Sequence, residues 1–142
     1  MFCVKRCQVS RCKCCQCNIT DSHFYDSDNI SRYSIDRNFD CNSSDIIYVI
    51  KCMKCKVLYV GQTARRLKDR LKYNQRSDIV LRKDTAVAKH FNEPKHDVKD
   101  LRIMPIASIE NMPFDTRLHT EKRYMTLLNT IYPRGLNFYP LV

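Results

Sequence analysis

No stretch of this sequence is apolar for the roughly 20 residues that a bilayer-crossing helix needs, and glycine occurs only twice in 142 residues. The first absence excludes a hydrophobic transmembrane helix, and the second a collagen-like repeat. Acidic residues are in the minority, 15 Asp and Glu against 25 Lys and Arg. They form no cluster of the kind that holds two catalytic metals. Residues 1–17 alternate Cys with Lys, Arg and Gln and lack the apolar core of a secretory leader. Secretion is therefore not expected, and the chain is expected to be intracellular with reduced thiols. Closely spaced reduced thiols are metal ligands before they are disulfides. What is present is ordinary for a folded chain, 44% apolar and 28% charged residues. That suits one compact domain with a small appendage and excludes a coiled coil or wholesale disorder.

The formal net charge of +10 is unevenly spread. Residues 1–45 hold six basic side chains and six Asp, a net of zero, and the whole excess lies in 46–142. Within 51–83, eleven Lys and Arg face only Asp69 and Asp78. So concentrated a field attracts a polyanion and speeds its encounter, which points to nucleic acid. A solvated basic face is the plainer alternative.

Cysteine divides the chain at the same place, with seven of nine at or before Cys41. Residues 18–44 are rich in Ser, Asp and Asn, hold isolated apolar residues, and leave room for a short strand near 32–35 but no long helix. We read 1–44 as a cysteine-dependent appendage too poor in apolar residues to fold unaided, and 45–142 as the main domain. In the latter, 45–50 and 56–60 read as strands joined by a short connection. Residues 63–76 read as a helix capped by Thr63, with Leu67 and Leu71 one turn apart and Arg70 beside them. A short helix over 84–91 is stopped by Pro94. Residues 101–109 read as a strand that Pro105 consigns to an edge, and 114–128 as a further helix. The order is β-β-α-α-β-α.

The last helix carries a stripe of Phe114, Leu118, Met125 and Leu128, with Glu121 where the period asks for an apolar residue. A buried carboxylate costs several kcal/mol (~3–5) unless it is paired, protonated or bound to a metal. A core-edge Glu paired with Arg is the structural alternative.

Ile46-Ile47-Tyr48, ten further residues, then Tyr59-Val60-Gly61 resembles the paired motif of the GIY-YIG nuclease superfamily. The run from Gly61 to Arg70 resembles the helix that follows it, with its catalytic arginine. His119-Thr120-Glu121 and Gly135-Leu136-Asn137 resemble its remaining signatures. Cys52 and Cys55 between the tyrosine motifs, with His90 and His96 later, are similar to the cysteine/histidine insertion of Penelope-like retroelement endonucleases. The phrases at 41–44 and 87–91 point the same way. Two positions depart: Ile46 stands where the first triplet has Gly, and Asn74 where many relatives have His. Both bear on whether this copy is active.

The resemblance implies a mixed α+β fold, a small three-stranded antiparallel sheet flanked by helices. It also implies a metal-dependent DNA endonuclease that nicks DNA for retroelement insertion and works in the nucleus. Its partners would be DNA and a reverse transcriptase domain of the parent element. No reverse transcriptase is present here, so the chain is a detached domain, a fragment or a recruited copy. A single Mg²⁺ or Mn²⁺ on Glu121 suits the preference of hard cations for oxygen. Arg70 would clamp the scissile phosphate, and Tyr48 or Tyr59 would orient or deprotonate the attacking water. The resemblance favours Tyr48 as base and Tyr59 as the positioning hydroxyl, with Asn137 as a brace.

The spacing of Cys52, Cys55, His90 and His96 fits a structural Cys2His2 zinc site tying the strand connection to the second helix. Cys7, Cys12, Cys15 and Cys41 would make a second zinc site, with Cys14 or Cys17 as substitutes and Cys3 as a spare thiol. His23 has no partner pattern and is expected to be exposed; His119 is either near the catalytic metal or a surface residue. Two rivals stand beside the nuclease, a non-catalytic zinc module that binds nucleic acid by charge and a secreted disulfide scaffold.

Overall fold

The computed structural model describes residues 2–138, leaving out the side chains of Tyr73 and Asn74, so the expectation at Asn74 lies outside the described side chains. Three antiparallel strands form the central sheet: β3 (Ile46–Cys52), β4 (Leu58–Thr63) and β5 (Leu101–Ser108), in the order β4-β3-β5. The middle strand is the run of β-branched and aromatic residues, and six of its seven side chains are buried. The fold is thus the mixed α+β class expected.

Pro105 lies on the outer strand β5, as its missing N–H requires. There the register against β3 shifts between Ile47 and Tyr48, so that Ile106 is the extra, bulged residue. The outer edge of β5 is partly covered, since Ile19 donates its N–H to the Ile103 carbonyl at 2.8 Å. The free edge of β4 is covered by the tail, where Leu136 donates to the Leu58 carbonyl at 2.9 Å.

Residues 67–80 form one helical stretch built of α2 (Leu67–Arg70), a π-helical turn (Leu71–Arg76) and α3 (Ser77–Val80). It starts later than the sequence suggested. Thr63 still belongs to β4, and its Oγ1 accepts from Arg65 N at 3.0 Å in a turn rather than capping a helix. The first helical N–H groups are met by backbone instead: Leu67 and Lys68 donate to the Ser43 and Cys41 carbonyls at 2.8 and 3.0 Å. The short helix α4 (Ala86–Phe91) is capped by Thr85, whose hydroxyl accepts from Ala88 N at 3.2 Å.

The stripe expected on α5 (Phe114–Leu127) holds only in its second half. Met125 and Leu128 are buried, but Phe114 is 76% and Leu118 37% exposed. The first half of α5 is largely exposed and is tied to the start of β3 by an Arg117–Asp45 ion pair of 2.8 Å.

In the N-terminal segment, α1 (Lys13–Cys17) and the hairpin β1 (His23–Tyr25) with β2 (Arg32–Ser34) are short. Val4, Cys14, Cys17, Phe24, Ile35, Phe39 and Cys41 are buried in the same core as the sheet. The segment therefore shares one core with the sheet.

Candidate active site and metal-binding groups

Tyr48 and Tyr59 share one face of the sheet, because their partners across the β3–β4 ladder are Gly61 and Ile50. The Tyr48 ring lies over Gly61. A Cβ built there would stand 2.5 Å from both Cζ and Oη of the ring, so only glycine leaves room for it.

The Tyr48 hydroxyl is fully buried and accepts two hydrogen bonds of 2.9 Å, from Arg70 Nε and from Gln75 Nε2. Burial pushes its pKa up, while the two donors and the guanidinium charge pull the other way. Gln75, itself buried, was not anticipated. Its signal was there: Leu67, Leu71, Gln75 and Ile79 recur in steps of four and all are buried. In an ideal α-helix each such step drifts about 40° around the axis. The wider π turn between 71 and 76 offsets that drift and keeps Gln75 on the core face beside Tyr48.

Glu121 lines a cleft of about 330 Å³ with Tyr59, Leu118, Met125 and Asn137. It does not sit in the middle of a buried stripe as the period suggested, but at the point where α5 passes from exposed to buried. Burial raises its pKa, opposed by a hydrogen bond with Gln62 and by the charges of Arg70 and Lys122. Gln62 is a second residue the sequence did not reveal. The Tyr59 pKa is also raised, by burial first and then by the neighbouring Tyr48 and Glu121, while Arg70 lowers it. The two phenols, the guanidinium and the carboxylate therefore lie within one another's fields.

Asn137 is a brace in the literal sense. Its amide pairs with the Val60 backbone, accepting from N at 2.8 Å and donating to O at 2.9 Å, and it also accepts from Thr130 Oγ1 at 2.8 Å. It holds the free edge of β4 next to Tyr59. His119 is exposed and does not line the Glu121 cleft, so it is a surface residue. His23 is half-buried and pairs with Ser22 Oγ at 2.9 Å, contrary to the exposure expected of it.

Two groups are arranged to hold a metal such as zinc: Cys52, Cys55, His90 and His96, and Cys7, Cys12, Cys15 and Cys41. In each, the four ligand atoms lie within 4.8 Å of one another. All nine cysteines are free. The Cys7–Cys15 and Cys15–Cys41 sulfurs are 3.5 Å apart, far beyond a disulfide bond. A tetrahedron with metal–sulfur bonds of about 2.3 Å has edges of about 3.8 Å, near that spacing.

The histidines add a more pointed observation. His96 Nδ1 lies 3.3 Å from the Pro94 carbonyl, while its Nε2 is buried with no hydrogen-bond partner. A carbonyl on Nδ1 leaves the Nε2 lone pair for a ligand bond, the arrangement metal-bound histidines use. Cys55 Sγ lies 3.4 Å from His90 Nε2, and Glu93 lies 4.0 Å from the other ring nitrogen of His90.

In the N-terminal group, Cys14 abuts Cys41 from outside the four, Cys17 donates to the Lys13 carbonyl, and Asn18 Nδ2 donates to Cys41 Sγ at 3.7 Å. A backbone hydrogen bond at Val9 favours the Cys7 thiolate, yet burial among the other sulfurs pushes its pKa up to about 12. Four such thiols do not ionise together without a cation among them.

No family model, curated protein or solved structure matches this chain.

Proposed function

We propose that this chain is a metal-dependent endonuclease of the GIY-YIG kind, hydrolysing phosphodiester bonds in DNA. The reading is carried by Tyr59 and Glu121, which line one small cleft, and by the hydrogen-bonded Tyr48–Arg70 pair, whose charges act on both. The rest of the proposal, a Penelope-like retroelement origin, a reverse transcriptase partner and work in the nucleus, rests on the resemblance alone.

Arg70 directs Nε at Tyr48, and its terminal amino groups suit the oxygens of a scissile phosphate. Tyr48 is the base. As a phenolate it keeps the hydrogen bonds from Arg70 and Gln75 and takes the proton of the attacking water. The water oxygen bonds to phosphorus as the ester P–O bond breaks, and the leaving oxygen takes a proton from solvent. Tyr59, which lines the cleft, positions that water.

Glu121 would hold one Mg²⁺ or Mn²⁺ through its carboxylate oxygens. Its pKa stays raised by burial despite the Arg70 and Lys122 charges, so a cation there would favour the ionised form. Such an ion, when bound, neutralises charge on the phosphoryl oxygens and acidifies a coordinated water. Zinc is the ion we assign to the two cysteine-containing groups, in a structural role, because four protein ligands leave no open position.

A second reading, an inactive zinc-containing module that binds nucleic acid, draws support from the complete burial of Tyr48. Nicking of supercoiled plasmid with Mg²⁺ or Mn²⁺, with and without chelator, separates the two. The nuclease reading expects Glu121→Gln to lower the nicking rate by at least about 10²–10³-fold while DNA binding stays. Wild-type protein that binds DNA but never nicks it would favour the inactive module.

A further inference from the structure

Outside the cleft lies a groove of about 690 Å³ between the N-terminal segment and the helical stretch 67–80. By sequence the N-terminal segment is electrically neutral and no part of the basic region. The fold changes that. Arg11 and Lys13 form one wall and Lys68, Lys72 and Arg76 line the other, beside an Arg66–Asp69 ion pair of 2.7 Å and the apolar Val80 and Leu81.

We infer that this groove receives the sugar-phosphate backbone of the nucleic acid, and that the Cys7/Cys12/Cys15/Cys41 group exists to hold its outer wall. The inference rests on the nucleic-acid part of the proposed function, not on cleavage. Charge complementarity selects a polyanion. Arg11 and Lys13 lie within the span of the ligands Cys7, Cys12 and Cys15, so a bound metal fixes the loop that carries them. The same helical stretch turns Arg70 toward Tyr48. One backbone element thus carries both the cations of the groove and the arginine bonded to Tyr48.

The test is equilibrium binding of the full chain to a short fluorescein-labelled duplex, by anisotropy across a salt series without Mg²⁺. The variant combines Arg11→Ala with Lys13→Ala. Losing two phosphate contacts should flatten the slope of log K against log salt by about 1.8, and weaken binding about 30-fold at ~0.15 M salt. Arg32→Ala with Lys99→Ala, both exposed and outside the groove, changes the net charge equally and should do far less. Lys68→Ala with Lys72→Ala probes the opposite wall and serves if the first variant loses its zinc or its fold.

Equal losses in groove and control variants would mean a general field, and unchanged affinity in both groove variants would mean no contact. Either overturns the inference, as does polyglutamate displacing the duplex as well as DNA does at equal charge. Groove-dependent binding without any nicking leaves the groove standing and removes the nuclease.

Discussion

At the scale of single residues, two uncharged ones decide whether Tyr48 can act. Gly61 is there for space: a methyl at that position meets the Tyr48 ring at 2.5 Å. Gly61→Ala should destabilise the fold by about 1–3 kcal/mol, the usual range for overpacking. Plasmid nicking should fall with it, because the ring must tilt out of reach of Arg70. Thermal denaturation with the nicking assay checks this, and an unchanged melting temperature would mean that the ring yields freely.

Gln75 acts through the phenol. Its donated hydrogen bond lowers the Tyr48 pKa against the upward push of burial. Gln75→Leu therefore raises that pKa further. A phenolate base is populated only as pH rises toward its pKa, so the rising limb of the pH–rate profile should move to higher pH. Loss of activity with an unmoved limb would leave Gln75 a packing residue. Ile46 is almost wholly buried between Thr63 and Ser108 and serves as core.

At the scale of elements, the half-buried carboxylate on α5 costs stability. Burial raises the Glu121 pKa above the ordinary carboxylate range. For a group shifted in that direction the native state binds the proton more tightly than the unfolded chain does. Its stability is fully present at acid pH and is lost as pH rises through the folded pKa. Glu121→Gln keeps the shape without the charge. In protein free of divalent ions it should melt at a higher temperature than wild type near pH 7, and that advantage should vanish below the ordinary carboxylate range. Added Mg²⁺ or Mn²⁺ should narrow the gap at neutral pH by binding wild type alone. A gap that persists unchanged in acid would mean that the stabilisation is packing rather than charge.

The same element shows what could be read beforehand. Both strands of the tyrosine pair were legible because β-branched runs have few alternatives. The edge position of β5 was legible in one proline. Glu121 was singled out from a helical stripe whose first half is exposed in the fold, since amphipathic period alone does not reveal how much of a helix is covered. Gln75 obeyed the better version of that rule, a polar residue in an otherwise apolar step-of-four series, but a π turn was needed to keep the series on one face. Gln62 left no signal, because alternation along a short edge strand is equally satisfied by a solvent-facing amide.

At the scale of the molecule, the two cysteine-containing groups pin different parts of one site. Cys52, Cys55, His90 and His96 join the β3–β4 connection to α4 and the segment after it, and so steady the strand that carries Tyr59. The N-terminal group reaches Arg70 by another route. Cys41 is one of the four grouped cysteines, and its carbonyl accepts the Lys68 N–H at 3.0 Å, while the Ser43 carbonyl accepts that of Leu67 at 2.8 Å. No side chain caps this helix start, so the backbone around Cys41 does the capping. Cys41→Ser should thus act at a distance. It should lower zinc content under reducing conditions, and speed hydrogen exchange at the Leu67 and Lys68 amides by about 5–10-fold, as expected when a hydrogen bond worth about 1 kcal/mol is loosened. Nicking should fall because Arg70 lies on the first turn of the helix so released, whereas Cys52→Ser should leave those two amides protected. If both variants free the same amides equally, the chain melts as one unit and the N-terminal group has no private hold on the arginine.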